Sequence, residues 1–120
     1  MEDCIFCKIV AGEIRTNFIE KQADIVAFYD IVPLAPTHIL ILPKEHINTF
    51  LDIKDTHFGL ISKMITLAQN LIKNYNFGQG YKMVFNGGHY QHVAHLHWHL
   101  LADSTLQPLA SKRLQKPSKI

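Results

Sequence analysis

His95-Leu96-His97-Trp98-His99-Leu100-Leu101 is the stretch on which the reading of this chain turns. Its apolar and polar residues alternate with period two, the pattern of a half-buried strand. On a strand over about 93–101, His95, His97 and His99 share one face, and Leu96, Trp98 and Leu100 share the other. Ordinary water-facing sheet surfaces draw on Lys, Thr, Ser and Glu, so three histidines in strict alternation point to chemistry rather than solvation. Trp98, on the opposite face, reads as packing. Residues i and i+4 on a strand lie about 13 Å apart, whereas zinc needs nitrogens about 2.0–2.1 Å from one point. His95 and His99 therefore suit no common ion, although adjacent members could share one, as His-x-His pairs do. A row of imidazoles about 6–7 Å apart fits successive tasks along an extended anionic substrate. One neutral ring attacks while its neighbours donate hydrogen bonds to oxygens that gain charge. Phosphate esters and anhydrides fit that description.

The segment belongs to a chain of 120 residues, 48% hydrophobic and 18% charged, which is one globular domain by size and composition. Eight histidines are present, five of them between His89 and His99. Preceding the histidine strand, 81–86 reads as another strand, set off by the Gly87-Gly88 loop. Apolar residues from Phe58 to Ile72 recur at helical spacing and predict one long helix over about 56–74, ended near Gly78 and Gly80. His38-Ile39-Leu40-Ile41-Leu42-Pro43 follows a Pro33/Pro36 turn as a β-branched strand, and Phe18–Lys21 and 25–30 are two more. Ala11-Gly12-Glu13-Ile14 reads as a turn or short helix. Five strands with short connections, one long helix and short helical turns give the α+β class with an antiparallel sheet. Residues 1–107 form the domain and 108–120 a basic tail.

Several classes are excluded at this level. The longest apolar run falls well short of the roughly 20 residues a membrane span needs. The N-terminal Met-Glu-Asp-Cys lacks the basic and apolar regions of a signal peptide, so a cytoplasmic location is expected. Net charge is +2, but residues 111–120 hold Lys112, Arg113, Lys116 and Lys119 without an acid. The remainder carries eight basic against ten acidic side chains, and no basic-aromatic stripe that would bind a polynucleotide. Cys4-x-x-Cys7 suits metal or redox work more than a disulfide scaffold, with two buried free thiols as the plain alternative. His57 and His89 acquire no task and read as solvated.

The run from His95 to Leu101 has the histidine-hydrophobic-histidine-hydrophobic-histidine-hydrophobic-hydrophobic form of the histidine-triad family. Other landmarks resemble that family in the same order: Cys4-Ile5-Phe6-Cys7-Lys8-Ile9, Ala27-Phe28-Tyr29-Asp30, Ala35-Pro36-Thr37-His38 and Leu42-Pro43-Lys44-Glu45-His46-Ile47. The resemblance spans about residues 3–102. It implies a homodimer whose two five-stranded sheets join, and a nucleotide hydrolase or transferase cutting at the α-phosphate, such as a nucleoside phosphoramidase. A dinucleoside polyphosphate hydrolase and a nucleotide-binding module with little turnover are the alternatives. By position, His97 is the implied nucleophile, passing through a nucleotidyl-histidine, with its other nitrogen held protonated by a backbone carbonyl. His99 would bond phosphate oxygens or the leaving group, and His38 would buttress the triad. Asp30 would hold the ribose hydroxyls, its alternative being a turn-capping aspartate before Pro33. Phe6, Ile9, Phe28, Ile31 and Leu40 match the base pocket, or else plain core. Asn86 and Gln91 sit in the loop that meets the phosphates. Resemblance to the zinc-bearing branch implies a structural zinc held by Cys4, Cys7, His46 and His95. There are departures. His92 stands where the phosphoramidase branch usually has serine, the 86–91 loop is about two residues short, and the C-terminal tail differs.

Overall fold

The computed structural model describes residues 3–103, so the basic tail at 108–120 lies outside the described residues. Helix α1 spans Ile5–Val10, and α2 spans Phe58–Asn74. Strands β1 (Phe18–Lys21), β2 (Ile25–Tyr29), β3 (Thr37–Pro43), β4 (Tyr81–Val84) and β5 (Trp98–Ala102) form one antiparallel sheet in the order β1-β2-β3-β5-β4. The α+β architecture expected from the sequence is therefore the one observed. Among the described residues no helix is long and apolar enough to cross a membrane.

Both faces of the sheet are covered, which is why all seven residues of the central strand β3 are buried. Ile39 and Ile41 of β3 point to the same side as Leu100 of β5 and Ile25 and Ala27 of β2, and pack on Met64, Leu67, Ala68 and Leu71 of α2. Those four helix residues follow the i, i+3, i+4, i+7 spacing that places them on one stripe. Leu40 and Leu42 point the other way, with Val26 and Phe28 of β2, onto Phe6 and Ile9 of α1. Trp98 joins the α2 side, as its alternation with the histidines requires.

Helix α2 ends before the glycines expected to stop it. Asn76 takes φ 62°, while the Asn76 N–H reaches the Lys73 carbonyl at 3.3 Å and the Phe77 N–H reaches that of Ile72 at 2.9 Å. This is a left-handed cap, with asparagine in the place glycine more often fills. The loop then turns Phe77 into the core, only 1% exposed.

Two boundaries differ from the expectation in ways that bear on function. Residues 11–14 form a turn, one of the two readings expected of them, closed by Gly12 at φ 84°, and a helix that the sequence did not announce lies before them. At six residues, α1 is too short to display a period; Cys4 caps it by accepting the Cys7 N–H on Sγ at 3.3 Å. The histidine strand also starts later than 93, because the chain bends over 92–95 and pairs regularly only from Trp98. The His95 N–H turns back to the Val93 carbonyl at 2.8 Å, and the Leu96 N–H bonds the Ile47 carbonyl at 2.6 Å. Only His99 of the three is on β5 proper.

Candidate active site

The β3–β5 register sets Leu40 opposite His99 and His38 opposite Leu101. His38 and His99 are thus diagonal neighbours on one face, within reach of one another. His38 Nε2 and His99 Nδ1 lie 2.8 Å apart, a direct hydrogen bond. The rings of His97 and His99 approach to 5.0 Å between centroids, closer than an ideal strand would hold them. The Phe6 ring meets His97 edge-on at 5.0 Å and Phe28 edge-on at 5.8 Å.

The hydrogen bonds decide which nitrogen each ring offers. His97 Nδ1 lies 2.7 Å from the His95 carbonyl, which can only accept, so His97 donates there and leaves Nε2 as a lone pair. His95 donates through Nε2 to the Pro43 carbonyl at 2.8 Å and turns Nδ1 toward the two thiols. His99 Nε2 is the one buried side-chain nitrogen or oxygen without a partner among the described residues. Burial lowers the pKa of His38, His95 and His97, and takes His99 down to about 4, with the neighbouring His97 and His38 adding to the fall. The rings are therefore neutral at physiological pH, as a nitrogen nucleophile must be.

Asp30 serves the turn and faces the site at once. Its Oδ1 accepts the Val32 N–H at 2.9 Å, while Oδ2 lies 3.4 Å from His38 Nε2. Phe6, Ile9, Phe28 and Leu40 are brought together, but as buried core. Ile31 stands apart from them, 91% exposed. Gln91 spends both amide hydrogens on backbone, reaching the Asn48 carbonyl at 2.8 Å and that of Val93 at 2.9 Å. Asn86 is half-buried and His92 is exposed; the positive form of His92 helps to keep His97 and His99 unprotonated.

On the far side of His95, Cys4, Cys7, His46 and His95 lie close enough to bind a metal, each offering one atom within 4.8 Å of all the others. Cys4 Sγ is 3.4 Å and Cys7 Sγ 3.6 Å from His95 Nδ1, and Cys7 Sγ is 3.2 Å from His46 Nδ1. A tetrahedral zinc would separate sulfur from nitrogen by about 3.6 Å. Both histidines offer Nδ1 because both Nε2 atoms are held, that of His46 by Asn48 Oδ1 at 2.6 Å. Such outer acceptors are what orient metal-binding imidazoles. Desolvation and the adjacent Cys4 raise the Cys7 thiol above its usual range. His95 and His97 do not converge on a common ion, since His97 belongs to none of the ligand clusters among the described residues. Asp30, His38 and His99 also approach one another, but the direct bond between the two rings leaves no room for an ion between them.

Sequence reasoning missed the partners that orient these rings. The carbonyls of Pro43 and His95 carry no sequence signature, whereas Asn48, two residues after His46, was open to notice. His57 is not solvated. Its Nδ1 accepts the Lys54 N–H at 2.9 Å and its Nε2 lies 3.0 Å from Glu45 Oε2, so it fastens the turn before α2. His89 leans on the exposed Tyr90 ring.

The family described as scavenger mRNA decapping enzyme C-term binding matches residues 3–115. Protein HitA of Neisseria gonorrhoeae is 36% identical over 84% of this chain and 96% of its own. The chain belongs to the histidine-triad family. The purine nucleoside phosphoramidase of Escherichia coli K12 is 35% identical over 93% of this chain and 97% of its own. Among solved histidine-triad structures, a HIT family hydrolase from Legionella pneumophila superposes with a TM-score of 0.82 at 39% identity, covering 88% of this chain and 96% of that one. A histidine triad protein from Clostridium difficile gives 0.81 at 37% identity, covering 89% and 96%.

Proposed function

We propose that this histidine-triad protein is a nucleotide hydrolase that cleaves a nucleoside phosphoramidate at the α-phosphorus. The observation that carries the reading is the opposite polarity of two adjacent rings. His97, with Nδ1–H tied to the His95 carbonyl, turns a lone pair on Nε2 to the site, and beside it His99 Nε2 is buried and unpartnered. A nucleophile next to a desolvated donor suits phosphoryl transfer, where charge collects on oxygens around the reacting phosphorus. The 35% identity to a purine nucleoside phosphoramidase supports the leaving-group class.

In this mechanism His97 Nε2 forms a bond to phosphorus as the bond to the leaving nitrogen breaks. The positive charge left on the ring is stabilised through Nδ1–H by the His95 carbonyl. His99 donates a hydrogen bond to a phosphate oxygen or the leaving group. Water then displaces His97 and releases the nucleoside monophosphate. The leaving amine takes up one proton and the attacking water gives one up, so the cycle is proton-neutral. Asp30 receives the ribose hydroxyls through the carboxylate that also faces His38. Ile31, exposed in the loop after Asp30, offers the base the free apolar surface that the buried Phe6, Ile9, Phe28 and Leu40 lack. Asn86 and His92 border the phosphates, with Gln91 fixing the loop.

The Cys4, Cys7, His46 and His95 cluster is read as a structural zinc site. A zinc there would supply a cross-link holding α1 and the 46–48 loop to the His95 bend. Free thiols at Cys4 and Cys7 suit a reducing cytoplasm. The open groove between α2 and the edge strand β4, lined by Ile65, Ile72, Tyr81, Met83 and Trp98, supports a homodimer formed on that edge.

The test is incubation of the wild type and His97→Ala with an adenosine phosphoramidate and with a diadenosine polyphosphate, each with and without chelator. Release of AMP from the phosphoramidate, lost in the variant, is expected. Preference for the polyphosphate would reassign the leaving group, and no turnover by the wild type would leave a binding module. Loss on chelation, with folding verified, would point to a metal in the chemistry.

A further inference from the structure

The loop at 31–36 between β2 and β3 exposes Ile31, Val32 and Leu34 to solvent. Its main chain nevertheless touches a buried ring, because the Leu34 N–H donates to His38 Nδ1 at 3.1 Å. An amide N–H can only donate, so the nitrogen it meets must accept. Neutral His38 then carries its proton on Nε2, 2.8 Å from His99 Nδ1. That nitrogen of His99 must accept in turn, which puts the His99 proton on Nε2, the buried atom without a partner. Asp30 Oδ2, 3.4 Å from His38 Nε2, favours the same direction, since a carboxylate accepts.

We propose that the main-chain N–H of Leu34 is a positioning group for the reaction: it holds His38 Nδ1 as an acceptor and thereby obliges His99 to present Nε2–H to the substrate. This rests on the reading of His99 as a hydrogen-bond donor in nucleotide hydrolysis. In the reverse arrangement, a His38 Nδ1–H would face the Leu34 N–H, donor against donor, in a buried place. His99 would then donate from Nδ1 and turn a lone pair toward the phosphate oxygens, which repel it. A main-chain amide of an exposed loop thus sets the polarity of the buried pair. The loop amide orients the pair without joining the proton transfer, because it does not give up its hydrogen.

Leu34→Pro removes the N–H within a loop that already holds Pro33 and Pro36, and Leu34→Ala keeps it. Long-range nitrogen–proton NMR spectra report the tautomers of His38 and His99 with no substrate present. Wild type and Leu34→Ala are expected to show Nε2–H on both rings, and Leu34→Pro a mixture. Relative to Leu34→Ala, Leu34→Pro should lose about 10²-fold in kcat, the usual effect of one misplaced donor, with KM changed far less. A wild-type His99 protonated at Nδ1 overturns the proposal, and that measurement stands even if Leu34→Pro does not fold. So does a folded Leu34→Pro that keeps both tautomers and its kcat. A wild type with the stated tautomers but no nucleotide hydrolysis would support the tautomer lock while overturning the functional reading, so the two failures are distinguishable.

Discussion

His95 and His97 are two residues apart, both buried, and both bonded to a backbone carbonyl, yet they offer opposite nitrogens. His95 is held at Nε2 by Pro43 and turns Nδ1 to two thiols; His97 is held at Nδ1 by His95 itself and leaves Nε2 as the lone pair. The difference shows that the chemistry available to an imidazole is set by which nitrogen the main chain takes. It also shows that the two clusters are mechanically joined, because His95, whose Nδ1 faces the thiols on one side, supplies the carbonyl that orients His97 on the other.

The severest way to break this comparison is His97→Ala, which should lower kcat by about 10⁴-fold or more while the Cys4/Cys7/His46/His95 cluster stays intact. Single-turnover assays with metal analysis on the same sample check both halves. His99→Ala removes a donor and not the nucleophile, so a kcat loss of about 10²-fold with a smaller change in KM is expected. Cys7→Ser strikes the other side. Stoichiometric zinc in the wild type should be lost in the variant, with a fall in Tm of about 10 °C, the size that about 2 kcal/mol produces in a domain of this length. Through the His95 carbonyl, kcat should also fall, by about 10-fold. Calorimetry, elemental analysis and kinetics on the two proteins separate these effects.

The neutral rings give the comparison a pH dependence. An imidazole in the unfolded chain titrates near 6.5, and the fold holds His99 down to about 4, chiefly by burial. Between those values the unfolded chain binds more protons, so this contribution to stability is complete above about pH 6.5 and is lost as the pH falls toward about 4. His38 and His97 shift in the same direction. Thermal melts should show Tm falling from pH 7 to pH 5, with a shallower fall in His99→Ala; equal slopes would contradict the assignment. The smallest effect on activity is expected from Tyr81→Lys at the β4 edge, which should shift the mass measured by light scattering from dimer toward monomer.

How much of this was legible in the sequence follows from what carries a pattern. The stripe Met64, Leu67, Ala68 and Leu71 reveals α2, and the unbroken apolar run of β3 reveals a strand covered on both faces. His95, His97 and His99 were visible because histidines in alternation are rare outside sites, whereas His38 came only from the family resemblance. Helix α1 was not, since six residues hold fewer than two turns. The bend at 92–95 was hidden too, because Val93 and Ala94 carry no turn signal, while the Leu96 N–H bonds the Ile47 carbonyl and pairing with β3 begins only at Trp98. The polarity of each ring depends on carbonyls and on the Leu34 amide, groups that every residue type possesses. Residue identity therefore placed the rings, and only the fold determined which nitrogen each one presents.

The most direct measurement is mass spectrometry of protein quenched during turnover of an adenosine phosphoramidate. The account predicts a transient adduct of one nucleoside monophosphate on the peptide containing His97, formed and consumed at rates compatible with kcat and absent from His97→Ala. Turnover without that adduct, or an adduct on His95 or His99 instead, would contradict it.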